Sequence, residues 1–159
     1  MHSSLSLHNK TSAAQAPERI IKFSNGSLVP KAAELRHAEA VEMDIESLDR
    51  FEQAADAVRA IFAEAKLSTP PLLLLINICL ADSSREATQR FEKLIGHGSR
   101  IHLSHTWYVG TEEGLRGLVD DLRVLGIGDG VSYRTVETAA RELAGQRAEQ
   151  APLPTHRKP

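Results

Sequence analysis

Apolar residues change their spacing several times along the chain, and each change marks an element. From Leu48 they recur at Phe51, Ala55, Val58, Phe62 and Ala65. Steps of three and four put them on one helical face, with Asp49, Arg50, Asp56, Arg59 and Glu64 mostly off it. Asp44 or Ser47 can cap the start of this helix, and Pro70-Pro71 forbids its continuation. Leu72–Leu80 then runs almost unbroken in apolar residues, interrupted by Asn77. A run without alternation suits a strand covered on both faces, as in parallel α/β sheets. Beyond it, Ser83 and Glu86 have capping-box spacing. Ala87, Phe91 and Leu94 form the expected buried face of a helix that Gly96 ends.

The flanking segments repeat this alternation more weakly. Residues 20–23 form a short apolar run before the turn Ser24-Asn25-Gly26-Ser27. A short helix is expected from about Pro30 to His37, since proline suits the first helical turn, and a second short strand at 40–43. Residues 101–109 predict a strand. Thr111 caps the next helix, with Glu112 and Glu113 at the positive end of its dipole. Leu115, Leu118, Leu122 and Leu125 supply its stripe, and Gly126 its stop. A short strand at 131–133 and a last helix from Thr135 to about Ala148 complete the series. Strands alternating with helices predict parallel pairing and right-handed crossovers. The ordered domain is expected at 18–149. Residues 1–17 are polar without periodicity and 150–159 are proline-rich, so both are expected to be disordered tails.

Totals narrow the picture further. A chain of 159 residues predicts one domain. The formal charge of −2 supplies no basic footprint for nucleic acid. The longest apolar run is too short to span a bilayer. Cys79 is the one cysteine, so no disulfide can form within the chain. With no secretion-like N-terminus, a reducing, cytoplasmic setting is expected.

Several residues could carry chemistry. A turn between a strand and a helix offers free N–H groups and the helix dipole to a phosphate, and Gly26 allows close approach. The same turn also reads as an ordinary β-to-α connection. His97, His102 and His105 lie close in sequence, but His102 and His105 would face opposite sides of a strand. They read as surface or substrate-facing histidines, and no metal is expected. Trp107 and Tyr108 end a strand, where an aromatic can stack on a ligand or pack the core. Cys79, inside an apolar strand, reads as a buried inert thiol. Asp120-Asp121 and Glu112-Glu113 are neighbours on a helix and do not converge as a catalytic pair. Gly126, Gly128 and Gly130 precede a strand, whereas dinucleotide-binding glycines follow one and open a helix. No catalytic residue is assigned.

Three stretches, in order, carry a family resemblance. The first is Ile20-Ile21-Lys22-Phe23-Ser24-Asn25-Gly26-Ser27, followed by the alanine-rich Lys31 to Val41 with Ala-Arg-His-Ala-Asp-like Leu35-Arg36-His37-Ala38-Glu39. The second is Leu72–Leu80 with Ala81-Asp82-Ser83-Ser84-Arg85-Glu86-Ala87. The third is Val109-Gly110-Thr111-Glu112-Glu113, then Leu118, Leu122 and Leu125-Gly126-Ile127. Together they resemble the C-terminal part of luciferase-like, flavin-dependent monooxygenases. That resemblance implies a truncated (β/α) barrel of parallel strands and covering helices, since a full barrel takes about 250 residues. It implies an oxidoreductase acting on a small organic substrate, either by monooxygenation with reduced FMN or by hydride transfer with a deazaflavin. It places Ser24, Asn25, Gly26 and Ser27 beside the cofactor phosphate. The rival expectation is a non-catalytic assembly module. A half-barrel would expose sheet edges and apolar surface, to be covered by a second copy or by a complementary half-barrel chain.

Overall fold

The computed structural model describes residues 19–24, 32–96 and 105–149. The tails expected to be disordered, 1–17 and 150–159, lie outside them. In chain order the elements are β1 (Ile20–Ser24), α1 (Ala32–Leu35), β2 (Ala40–Asp44), a 3₁₀ turn (Leu48–Arg50), α2 (Phe51–Glu64), β3 (Leu72–Leu80), α3 (Ser84–Ile95), β4 (Trp107–Gly110), α4 (Glu112–Leu125), β5 (Gly130–Thr135) and α5 (Val136–Glu149). The expected class, parallel strands with covering helices, is the observed one. All described strand pairs are parallel.

β3 organises the sheet. Its nine residues pair with β2 through Leu72–Leu74, with β4 through Asn77–Leu80, and with β5 through Leu73–Ile78. Pro71 and Asn77, both odd-numbered, bond to β2 and to the start of β4, so these two strands share one edge in succession. Leu72 bonds on the other side, where Asp129 leads into β5. The chain therefore crosses back from β3 to β4 and forward again to β5, an order that alternation alone does not dictate.

Travel in both directions places helices on both faces, as right-handed crossovers require. On one face Val41, Met43, Leu72, Leu74 and Ile76 pack against Phe51, Val58 and Phe62 of α2 and Leu122 of α4. Side chains alternate along a strand, so Leu75, Asn77 and Cys79 point to the opposite face. There the Cys79 thiol donates to the Ala87 carbonyl of α3 at 3.4 Å. Phe91 meets Trp107 edge-on, with ring centroids 5.0 Å apart. The buried Val136 and Ala139 of α5 complete the cover. β3 is apolar at every residue but Asn77 because it is buried on both sides.

Local signals acted largely as expected. Ser83 accepts from the Glu86 N–H at 3.3 Å, and Thr111 from the Gly114 N–H at 3.3 Å. Gly126 ends α4 with φ 69°. The helix at 51–64 starts differently from expectation. Ser47 stands at the N-cap of the 3₁₀ turn but makes no side-chain cap bond, and Asp44 turns into the sheet. The α4 stripe is shorter than expected, with Leu125 70% exposed. The helix stops one residue later, and Ile127 packs on the core in its place. Among the described residues no helix is long and apolar enough to cross a membrane.

Candidate functional site

Parallel α/β sheets bind ligands beyond the carboxyl ends of their strands, and the chain forms a cleft there. β1 and β2 end level, with Ser24 in register with Asp44. Beyond Asp44 the chain buries Ile45, exposes Glu46 and turns at Ser47 into α2. The resulting cleft has a volume of about 290 Å³. Phe23, Ile45, Ala54 and Ala57 give it apolar walls. Asp44 and Glu46 offer carboxylates, and Arg50 and Gln53 offer donors. Arg50, the last residue of the 3₁₀ turn and the N-cap of α2, lies three before Gln53, so the two share a helical face.

Behind the cleft lies a polar network built on Asp44, which is 7% exposed. Its Oδ1 faces His105 Nδ1 at 2.8 Å, and its Oδ2 accepts from Arg134 Nη2 at 3.1 Å. With a carboxylate opposite, Nδ1 carries a proton and donates it to Asp44. Arg134 also donates from Nε to Asn77 Oδ1 at 2.6 Å and from Nη1 to Glu142 Oε2 at 2.7 Å. Asn77 is fully buried. Its backbone N–H and its Nδ2 both donate to the Thr106 carbonyl, at 2.9 and 3.0 Å. Thr106 Oγ1 donates to the Ile45 carbonyl at 2.9 Å. Four elements, β2, β3, β5 and α5, and the approach to β4 thus join one network around a buried carboxylate. Buried charges persist where they are paired and hydrogen-bonded, and Asp44 is both.

Other titratable groups are tuned away from the cleft. Burial pushes the Cys79 thiol above its ordinary range, opposed by the Arg90 charge. Burial likewise raises Tyr133, opposed by Arg123. Glu137 is held low by its own backbone N–H and then by Arg90, with which it pairs across α3 and α5. None of these groups lines the cleft.

Ser24 is at the end of β1, beside the cleft-lining Phe23. Asn25, Gly26 and Ser27 lie outside the described residues, as do His97 and His102. His105 precedes β4 instead of lying within a strand, and it binds Asp44 where a surface or substrate-facing role was expected. Trp107 packs on Phe91. Cys79 is buried. Among the described residues no three His, Cys, Asp or Glu side chains are grouped to hold a metal ion. The sequence did not single out Arg134, and it offered Asp44 only as a helix cap. Asn77 left one signal, a polar residue inside an apolar run.

No family model matches the sequence, and no curated protein does. Among solved structures, DmoA from Hyphomicrobium sulfonivorans is similar at 11% identity over 84% of this chain and 42% of its own, with a TM-score of 0.48. The EDTA monooxygenase EmoA from Chelativorans sp. BNC1 is similar at 13% identity over 80% of this chain and 44% of its own, with a TM-score of 0.47. The chain spans less than half the length of either.

Proposed function

We propose that this chain is an oxidoreductase module of the luciferase-like type, and that it binds FMN or a deazaflavin by the phosphate-bearing end of the cofactor. The three resembling stretches motivate the family. The observation that carries the proposal is the cleft at the carboxyl ends of β1 and β2, with Arg50 and Gln53 in its lining. Arg50 supplies a full charge and planar N–H donors to a phosphate, and Gln53 adds a neutral donor. Ser24 ends β1 beside this cleft, and Asn25, Gly26 and Ser27, which follow it in sequence, are proposed as the remainder of the contact. At about 290 Å³ the cleft is at the small end for ligand sites. It suits the chain and phosphate of the cofactor, with the ring system outside it. When bound, the reduced cofactor supplies the electrons for monooxygenation or the hydride for reduction. The protein's own part is to hold the phosphate and exclude water around it.

The test is a fluorescence titration of the chain with FMN and with the deazaflavin cofactor. Arg50→Ala is expected to weaken binding about tenfold, equivalent to about 1.4 kcal/mol, with the thermal midpoint unchanged because Arg50 is exposed. Equal affinity in the variant would remove Arg50 from the site, and no binding by the folded chain would end the cofactor proposal.

A second reading, an assembly module, is favoured by Val124 and Leu125, which are 86% and 70% exposed side by side. In this reading a second copy or a complementary chain covers them. Light scattering decides it. Assembly predicts a dimer or larger species that Val124→Glu with Leu125→Glu returns to monomer, and a monomer in both forms overturns it.

A further inference from the structure

We infer that Ser24, His105 and Asp44 form a nucleophile, base and orienting acid, a second site that takes the acyl group of small carboxylic esters onto Ser24. It lies on the sheet face opposite α2 and does not rest on the cofactor proposal. Phe23 and Met43 pack on the α2 side, and side chains alternate along a strand. Ser24 and Asp44 therefore project from the other face, where they are register partners on adjacent strands. His105 Nδ1 meets Asp44 Oδ1 at 2.8 Å. One carboxylate thus has a serine as its neighbour and a histidine as its bonded partner.

Each group is placed for its part. Asp44 is buried, and Arg134 Nη2 fixes its second oxygen at 3.1 Å. A buried carboxylate on Nδ1 orients an imidazole and stabilises the imidazolium formed when Nε2 takes a proton. Nε2 and the Ser24 hydroxyl have no hydrogen-bond partner among the described residues. The buried unpartnered side-chain atoms there are Trp107 Nε1 and Ser132 Oγ, so Nε2 and the Ser24 Oγ reach solvent. The helices over this face, α3 and α5, pack on β3, β4 and β5. Over β1 the face is open, with Ile20 and Lys22 exposed on it. The His105 side chain is only 11% exposed, so access to Nε2 is narrow and selects a small acyl group. Ser24 and His105 are not bonded to each other, as is common for nucleophile and base without substrate. In the reaction the Ser24 Oγ proton passes to Nε2 as Oγ bonds to the ester carbonyl carbon. The bond from that carbon to the alcohol oxygen breaks, and Nε2 returns the proton to the departing alkoxide. Water, giving its proton to Nε2 in turn, releases the acid, and Ser24 Oγ recovers a proton from Nε2.

Covalent labelling tests this. The full chain is treated with a fluorophosphonate, which loses fluoride to an activated serine and leaves a phosphonyl group on its oxygen. Peptide mass spectrometry is expected to find that group on Ser24 and to lose it in Ser24→Ala. His105→Gln keeps an N–H donor for Asp44 but has no basic nitrogen. It is expected to label at least about a hundredfold more slowly, with its circular dichroism unchanged. If His105 were only a structural partner of Asp44, the folded variant would label at the parent's rate. No label on Ser24 in the folded chain, label spread alike over other serines, or equal rates for parent and His105→Gln overturns the inference. Should His105→Gln fail to fold, nitrophenyl acetate decides between the parent and Ser24→Ala. Nitrophenol release about a hundredfold faster in the parent supports the site, and equal release overturns it. Flavin binding is read at the opposite face, so either proposal can fail while the other stands.

Discussion

Arg134 brings a charge into the sheet and finds three acceptors there, on β2, β3 and α5. Replacing a buried ion pair wholesale is often neutral, but removing one partner strands the other, at a cost of about 3–5 kcal/mol. Arg134→Met is therefore expected to lower unfolding stability by about that amount in urea melts. Adding Asp44→Leu should recover a large part of it. A loss under about 1 kcal/mol for the single change would show that His105 alone suffices for Asp44. Cys79 shows the simpler effect of burial. Its raised pKa means that the folded state favours the neutral thiol. The associated stability is present below the unfolded thiol's range and declines as pH rises through the raised value. Iodoacetamide at neutral pH is expected to label Cys79 only as fast as the chain opens, and labelling at the rate of a free thiol would contradict its burial.

At the scale of the element, caps and turns are the points where single residues decide a boundary. Ser83→Ala removes the acceptor for the Glu86 N–H and is expected to cost about 1 kcal/mol, read as a lower denaturation midpoint. Two glycines separate conformation from space. Gly126 and Gly128 both have positive φ, at 69° and 75°. A Cβ on Gly126 would meet nothing within 4 Å, whereas one on Gly128 would lie 3.2 Å from the backbone oxygens of Gly130 and Leu72. Those atoms cannot swing away as a side chain could. They belong to the junction where Asp129 and Leu72 exchange bonds at 2.8 Å. Gly128→Ala should therefore destabilise more than Gly126→Ala in parallel melts. Equal losses would mean that backbone conformation is the whole cost.

Across the molecule, stability concentrates on β3. It is paired along both edges and covered on both faces, and Leu74, Ile76 and Asn77 are fully buried. Hydrogen exchange is expected to be slowest at β3 amides, with the largest opening free energies there. It should be faster in β1, where Ile20 is 40% exposed and pairing is to β2 alone among the described residues. Uniform protection across the five strands would show that the sheet opens only as a unit. The same central strand contributes Asn77 to the polar network, so the most protected segment also supports the cleft.

The helix at 51–64, the strand at 72–80 and the caps at Ser83 and Thr111 were legible because each depends on neighbours within a few residues. Periodicity and hydrogen bonds to nearby N–H groups are local physics. The parallel class was legible for a related reason, since an almost continuous apolar strand must be covered twice. The strand order was not, because nothing within β4 or β5 says which edge of β3 it takes, and only packing decides that. The site was legible only in outline. Ser24 marks the end of β1, but Asp44, His105 and Arg134 are separated by up to ninety residues along the chain. Nothing within a window of sequence distinguishes a helix cap from a buried carboxylate. Their meeting is set when β2, β3 and β5 align in register and the approach to β4 closes over them. Desolvation then makes each charge require the others.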